Sequence, residues 1–253
     1  MSNARWPSRL WIVRHGESAG NVARDAAQAS GATRIAIDMR DVDVPLSPRG
    51  EDQARALGRW FAGNPGERPE VLLASPYARA QATARLFAES GGMAGDGVPC
   101  IDERLREKEF GILDGLTTGG IVELQPEQAE FRRLLGKFYH RPPGGESWCD
   151  VIFRLRSVMD TIALHYAGKP VMIVAHQVVV LCLRYVIEGM SEAQILEIDR
   201  EGDVANCSVT EYRFDAAAAG DGAMALVRYN ATAPVAEQAT VTTELSRSIG
   251  ASG

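Results

Sequence analysis

The sequence lacks paired cysteines, an excess of basic residues and any apolar run long enough to span a membrane, and each absence removes a class of protein. Its four cysteines, Cys100, Cys149, Cys182 and Cys207, are scattered through 253 residues with no C-x-x-C pair. That spacing offers neither a disulfide framework nor a thiolate metal site, and it fits a chain kept reduced in the cytoplasm. Lysine and arginine number 27 against 33 acidic residues, a formal charge of −6. Without a positive field there is no general attraction to nucleic acid or anionic lipid, so any anion site has to be local. The most apolar stretch, 171–183, is interrupted by His176 and Gln177 and is too short for a bilayer. Residues 1–9 have no apolar segment of signal-peptide length, so an exported chain is not expected. Repeats, low-complexity tracts and an interdomain linker are missing as well.

What is present is a composition of 45% hydrophobic and 24% charged residues, ordinary for one α/β domain of this length. The reading is a single domain over 1–253 with its core at 9–230, followed by a small, polar and loosely held tail from 233 to 253. Leu10-Trp11-Ile12-Val13 is an apolar run ending at Arg14, which predicts a buried strand opening into a loop. Ser47-Pro48 followed by Glu51 predicts a helix over 47–61, capped by Ser47 with Pro48 in its first turn. A strand is expected at 71–74, helices at 76–89, 128–139 and 147–166, a strand at 171–175 and a helix at 178–188. Segments 207–214 and 223–229 read as a hairpin turning at Gly220-Asp221-Gly222. The alternation predicts a three-layer α/β/α sandwich around a mostly parallel sheet, with ligands bound beyond the carboxyl ends of its strands.

Two of the four histidines stand directly after the strongest strand candidates. His15 lies between Arg14 and Gly16, so an imidazole that titrates near neutral pH adjoins a fixed cation and a permissive backbone. A neutral imidazole can attack phosphorus. Taken alone, R-H-G is equally a chance tripeptide, and Arg79 in the first turns of a helix is equally a surface arginine. Glu103, Glu107 and Glu109 alone would read as a solvated charged segment. Arg133 and Lys137, four residues apart, are expected to share a helix face, as a solvated basic patch or as a grip on an anion. Residues 31–44 form an insertion-like stretch near the expected pocket entrance, a candidate lid.

Together these motifs resemble the histidine phosphatase superfamily, also called phosphoglycerate-mutase-like, from about Leu10 to Ser208. Arg14-His15-Gly16-Glu17-Ser18 with Asn21 resembles the opening R-H-G-[EQ]-[ST]-x-x-N motif. Ser75-Pro76, Arg79-Ala80 and Thr83-Ala84 resemble its S-P-x-x-R-A-x-x-T-A stretch. Leu105, Glu107, Phe110-Gly111 and Asp114-Gly115 resemble the segment that carries the acid. Val174-Ala175-His176 resembles the second histidine motif, with Gln177 where many members have glycine. The resemblance implies that His15 accepts a phosphoryl group, that Glu107 is the general acid and that His176 completes the catalytic set. It implies that Arg14, Asn21 and Arg79 hold phosphate oxygens, with Ser18 as a further substrate contact. Such a transfer depends on positioning and electrostatics, so no metal and no cofactor is expected.

Within that family, His176-Gln177 and the residues after it are similar to the fructose-2,6-bisphosphatase branch. So is the run from Arg133 and Lys137 through Tyr139-His140-Arg141-Pro142 to Glu146-Ser147-Trp148. There the arginine and lysine grip a second phosphate, and Trp148 stands where that relative has tyrosine. The likeness implies substrate contacts from Arg133, Lys137, Glu146, Trp148 and Gln177. The implied activity is that of a metal-independent phosphatase of the histidine acid phosphatase type, acting on a small phosphorylated metabolite such as a sugar phosphate or bisphosphate. A cofactor-dependent phosphoglycerate mutase is the alternative, disfavoured by the short segment between Glu107 and Glu146. A non-catalytic phospho-ligand binding protein is the second, disfavoured because no catalytic residue is lost. The expected partners are the small phosphorylated substrate or inorganic phosphate and, at most, a second copy of the chain in a homodimer. Nucleic acid and membrane are not expected partners.

Overall fold

The computed structural model describes residues 6–95, 97–218 and 222–235. In chain order it runs β1 (Arg9–Arg14), α1 (Ala19–Ser30), α2 (Pro48–Ala62), β2 (Val71–Ala74), α3 (Ala78–Glu89), β3 (Cys100–Ile101), α4 (Thr118–Leu124) and α5 (Pro126–Tyr139). It continues with α6 (Trp148–His165), β4 (Pro170–Ala175), α7 (Gln177–Glu188), α8 (Glu192–Glu201), β5 (Val209–Asp215) and β6 (Ala223–Ala231). The six strands form one sheet in the order β3-β2-β4-β1-β5-β6. β1 to β4 are parallel, while β5 and β6 add an antiparallel edge. The expected three-layer sandwich on a mostly parallel sheet is the architecture observed.

Side-chain alternation along the central strands builds the two outer layers. Leu10 and Ile12 of β1, with Val171 and Ile173 of β4, face a core shared with Leu155 and Val158 of α6 and Val179 and Leu183 of α7. Trp11 and Val13, with Met172 and Val174, face the opposite core with Leu57 and Phe61 of α2 and Phe87 of α3. Both faces of a parallel sheet are covered, so its strands read as unbroken apolar runs. On the second face Phe61 stands edge-on to both Trp11 and Phe87, at 5.5 and 5.3 Å between ring centroids, which seats α2 and α3 on the sheet.

α2 starts as its sequence dictates: Ser47 Oγ accepts a hydrogen bond from Gly50 N (3.1 Å), with Pro48 at the first position. α3 begins at Ala78, two residues later than expected, because Tyr77 retains an extended backbone as its N-cap. Three helices, α1, α4 and α8, were not anticipated. α1 buries only Asn21 and Ala27, α4 only Gly120 and Ile121, and α8 only Ile195 and Asp199, so none carries the broad apolar stripe that announces a helix. The hairpin is present, but Gly220 and Asp221 of its turn lie outside the described residues. The tail expected from 233 is docked at its start: Ala233–Val235 form a 3-10 turn, and Val235 is fully buried among the residues beneath α2. Residues 236–253 lie outside the described residues. Among the described residues no helix is long and apolar enough to cross a membrane.

The amino end of α2 is pressed against the loop after β1. A Cβ on Gly50 would lie 1.9 Å from Glu17 O, and one on Gly16 would lie 2.5 Å from Gly50 O. Ser47 N and Gln53 reinforce the contact: Ser47 N donates to Glu17 O (2.9 Å) and Glu17 N to Gln53 Oε1 (2.8 Å). Gly50→Ala should therefore force the loop off the helix and destabilise the fold by about 2 kcal/mol, the scale of core overpacking. Urea denaturation checks this, and an unchanged midpoint would contradict the close packing.

Candidate active site

The register of three parallel strands brings the first cluster together. β1 pairs Arg14 with Ala175 of β4, and β4 pairs Val174 with Ala74 of β2. The ladder runs one residue further on each side, with His15 N donating to Ala175 O (2.9 Å) and Ser75 N to Val174 O (3.0 Å). His15, His176 and Ser75, each first after its strand, therefore lie side by side. The imidazoles of His15 and His176 are 5.1 Å apart between centroids, and both are buried.

Hydrogen bonding assigns the proton on His15. His15 Nδ1 meets Gly16 O at 2.7 Å, and a carbonyl can only accept, so Nδ1 carries the hydrogen. Nε2 is left with its lone pair and receives a hydrogen bond from Arg79 Nε (3.2 Å). His176 Nε2 meets Ser75 Oγ at 2.8 Å, and Ser75 Oγ also accepts from Tyr77 N (3.3 Å); a hydroxyl both donates and accepts, so the contact suits either tautomer of His176. His176 Nδ1 is buried with no partner among the described residues. Burial, followed by the charges of Arg79 and Arg14, holds His15 well below the 6.5 of a free imidazole. Burial, Arg79 and His15 do the same for His176. Both rings are neutral at pH 7, and His15 presents a lone pair on Nε2.

The cations and amides around them are held from behind. Thr83 Oγ1 accepts from Gly16 N (3.0 Å) and donates to Arg79 O (2.7 Å), tying the loop after β1 to α3. Arg14 Nη1 donates to Gln177 Oε1 (3.1 Å) and to Val204 O, while Gln177 Nε2 donates to Asp203 Oδ1 (3.1 Å). Gln177, expected to line the pocket wall as a substrate contact, is instead turned toward Arg14 and fixes it. Ser18, also expected to touch substrate, caps α1: its Oγ accepts from Asn21 N (3.1 Å) and donates to Asn21 Oδ1 (3.0 Å). Asn206 Nδ2 donates to His15 O (3.0 Å) and approaches Asn21 Oδ1 (3.4 Å). With its oxygen committed, Asn21 has its amide nitrogen to offer a ligand. Asp203, Asn206, Ser75, Thr83 and Tyr77 were not assigned from sequence. Ser75 and Thr83 stand in the motif around Arg79, and for Asp203 and Asn206 the signal was topological, since the strand paired beside β1 has to begin next to His15.

The segment bearing Glu107 is stapled by charge. Glu146 accepts from Arg154 Nε (3.0 Å), Arg154 Nη2 (3.0 Å), Arg106 Nη2 (2.8 Å) and Glu109 N (3.1 Å). Arg154 Nη2 also donates to Glu107 O (3.2 Å). Glu146 was expected to contact substrate; its carboxylate is spent on these four donors, and it acts on the loop that carries Glu107. Of the three rival acids, Glu107 is buried, while Glu109 receives the Tyr77 hydroxyl (3.1 Å) and Glu103 opens a separate 3-10 turn.

Beside the segments that bear Glu107 and His176 lies a pocket lined by Lys108, Arg132, Lys137, His140, Phe110 and Trp148 among others. Trp148 is one of its walls, with Lys137 Nζ 5.1 Å from its ring centroid, and Lys137 also pairs with Asp199 (2.5 Å). Arg133 is absent from the lining. It is exposed and paired with Glu130 (2.7 Å). The shared-face argument fails because Gly136 sits at φ 76°, breaking α5 between Arg133 and Lys137. The kink turns Arg132 rather than Arg133 toward Lys137. Burial, Arg132 and Lys108 lower His140 to about 4, so both cations act inside the cavity.

A three-layer sheet with two neutral imidazoles, two arginines and an asparagine at adjoining strand ends defines an anion-handling α/β enzyme site. The chain belongs to the histidine phosphatase superfamily (branch 1), whose family model matches residues 10–231. It is 32% identical over 197 residues to a 2,3-bisphosphoglycerate-dependent phosphoglycerate mutase of Gloeobacter violaceus, covering 76% of this chain and 81% of the relative. A probable phosphoglycerate mutase of Yersinia enterocolitica is 28% identical over 204 residues, covering 80% and 83%. Among solved structures, a mycobacterial glucosyl-3-phosphoglycerate phosphatase in complex with inorganic phosphate superposes with a TM-score of 0.68 at 25% identity. That match covers 90% of this chain and 99% of that one.

Removing the Arg79 charge tests the electrostatics directly. In Arg79→Gln the His15 pKa should rise toward 6.5 without reaching it, because burial is the larger cause. Nitrogen-15 NMR titration of the imidazoles reads this, and a lowered or unmoved value would refute the assignment.

Proposed function

We propose that the chain hydrolyses phosphomonoesters by passing the phosphoryl group through His15 to water. The observation that carries this reading is the pair of adjoining neutral rings beside two arginines. His15 Nε2 offers a lone pair, and His176 Nδ1 stands unpartnered beside it. In the first step His15 Nε2 bonds to phosphorus as the ester oxygen leaves. Arg14, Arg79, Asn21 and His176 hold the equatorial oxygens as negative charge spreads over them. Glu107 supplies the proton that the departing alkoxide needs. In the second step water attacks phosphorus, Glu107 takes its proton, and the nitrogen–phosphorus bond breaks to give inorganic phosphate. The chain is similar to a phosphatase complexed with inorganic phosphate, which supports this class of ligand.

The preferred substrate carries a second acidic group. Lys108, Arg132 and Lys137 share one cavity that adjoins the acid segment and the first turn of α7, with Phe110 and Trp148 as apolar walls. A sugar bisphosphate supplies the second anion that a sugar monophosphate lacks. The phosphoglycerate mutase relatives favour a second reading, in which the phosphoryl group returns to the substrate instead of reaching water.

Three outcomes are expected. Acid-quenched wild-type enzyme given labelled phosphomonoester should carry an acid-labile phosphate that is missing in His15→Asn, with kcat reduced on the order of a thousandfold. Label retained on that variant would exclude His15. Inorganic phosphate should exceed isomerised product with phosphoglycerates, and the reverse would establish a mutase. Glu107→Gln should slow phosphorylation of His15 by about a hundredfold or more with alkyl phosphates but far less with a nitrophenyl ester, whose leaving group needs no proton; with that ester the phosphohistidine should accumulate, because its hydrolysis still needs the base.

A separate prediction addresses the cavity. Arg132→Gln should raise KM for bisphosphates and phosphorylated acids about tenfold while sparing simple monophosphates, and Arg133→Gln should change neither. Equal effects of the two substitutions in steady-state assays would contradict the second-anion site.

A further inference from the structure

The 31–44 stretch is tied at both ends and loose between them. At one end Thr117 N donates to Thr33 O (3.1 Å) and Ile35 N to Gly115 O (2.9 Å); at the other Ala19 N donates to Pro45 O (3.0 Å), beside buried Val44. Residues 36–40 have no regular structure and are mostly exposed. A 3-10 turn, Asp41–Asp43, then reaches the site.

Asp41 fills the outer edge of Arg79. Its Oδ1 accepts from Nη1 (2.9 Å), its Oδ2 from Nη2 (3.1 Å) and its carbonyl from Nη1 (2.6 Å). Nε of the same guanidinium is the group that donates to His15 Nε2. A guanidinium binds a phosphoryl group and a carboxylate with the same planar fork. The edge that would receive two phosphoryl oxygens next to His15 therefore already holds an anion. The Asp41 charge also helps push up the Tyr77 hydroxyl and the Asp114 carboxyl, after burial and, for Tyr77, Glu109, so it lies within the field of the site. The side chain of Asp41 is 42% exposed and that of Arg79 only 7%, so the carboxylate can move into water while the arginine stays.

We propose that Asp41 is an internal competitor for the phosphoryl group. Its carboxylate holds the Arg79 fork in the resting protein, leaves it when a phosphomonoester enters, and returns as inorganic phosphate departs. The exchange makes and breaks no covalent bond; one anion takes over the donors of the other. It rests on the reading that Arg79 receives the phosphoryl group. Because the competitor is tethered, apparent phosphate affinity falls by the fraction of time the fork is occupied. Product phosphate is weakened in the same way, which favours its release. A substrate anchored by a second acidic group in the Lys108–Arg132–Lys137 cavity compensates for the displacement, and a simple monophosphate does not.

The test is binding of inorganic phosphate by titration calorimetry, which needs no turnover. Asp41→Asn and Asp41→Ala should bind phosphate about fivefold more tightly than wild type, the scale of a half-exposed ion pair. Asp43→Asn, whose carboxylate pairs with Arg40 (2.6 Å), should stay within twofold. Amide hydrogen exchange over 37–44 should speed up when phosphate is added to wild type and should not respond in Asp41→Asn. Equal or weaker phosphate binding by both Asp41 variants, or unchanged or slowed exchange in the wild type, would overturn the proposal. Phosphate binding absent from wild type and all variants alike would overturn the phosphate-site reading beneath it.

Discussion

The hydrogen bond from His15 N to Ala175 O carries the pairing of β1 with β4 one residue beyond the strand ends, and the geometry of the site follows from it. A one-residue slip would point His15 and its whole strand to the other face of the sheet, because side chains alternate with a period of two. The register is held by burial on both faces: Leu10 and Ile12 are fixed in one core, Trp11 and Val13 in the other. The apolar strands therefore do more than stabilise the domain. They set the 5.1 Å spacing of the two imidazoles.

Charge is then arranged to keep those imidazoles neutral. Enclosure disfavours the imidazolium first, and the nearby guanidinium charges add to it, so neither ring gains a proton at the cost of its role. Neutrality alone would leave the tautomers open. Gly16 O fixes that of His15, while Ser75 Oγ, held by Tyr77 N, orients the ring of His176. Arg14 is anchored in turn by Gln177 and Val204, so its positive edge is preorganised before any phosphate arrives, whereas the outer edge of Arg79 is held by Asp41. Preorganised donors contribute more to phosphoryl transfer than donors that must be reoriented during the reaction.

The acid segment depends on a different interaction. Arg154 of α6 holds Glu146 and the Glu107 carbonyl at once, so the helix that covers one face of the sheet also positions the proposed proton donor. The same helix begins with Trp148, which walls the neighbouring cavity. Core packing, acid placement and the shape of the substrate cavity are thus coupled through the first turns of one helix.

His15, Arg14, Arg79, Glu107 and His176 were legible in the sequence because each stands in a local motif next to a strand end or helix start, where a few adjacent residues determine both structure and chemistry. The strands and the cap at Ser47 were legible for the same reason. Contacts between distant segments were not. Asn206 acts on the loop after β1, and Asp203 on Gln177, only because β5 folds back against β1, and Asp41 acts on Arg79 only because its turn is tethered at both ends. Ser18, Gln177 and Glu146 were read as substrate contacts, but folding places stronger internal partners beside each of them. Arg133 was assigned by helical spacing, and a single left-handed glycine at position 136 redirected the face to Arg132. The sequence by itself determined which strand ends and helix starts bear the candidate residues, since periodicity and motif are local properties. Only the tertiary structure decided which atoms of those residues remain for a ligand, because a hydrogen bond to a distant segment consumes one donor or acceptor and leaves another.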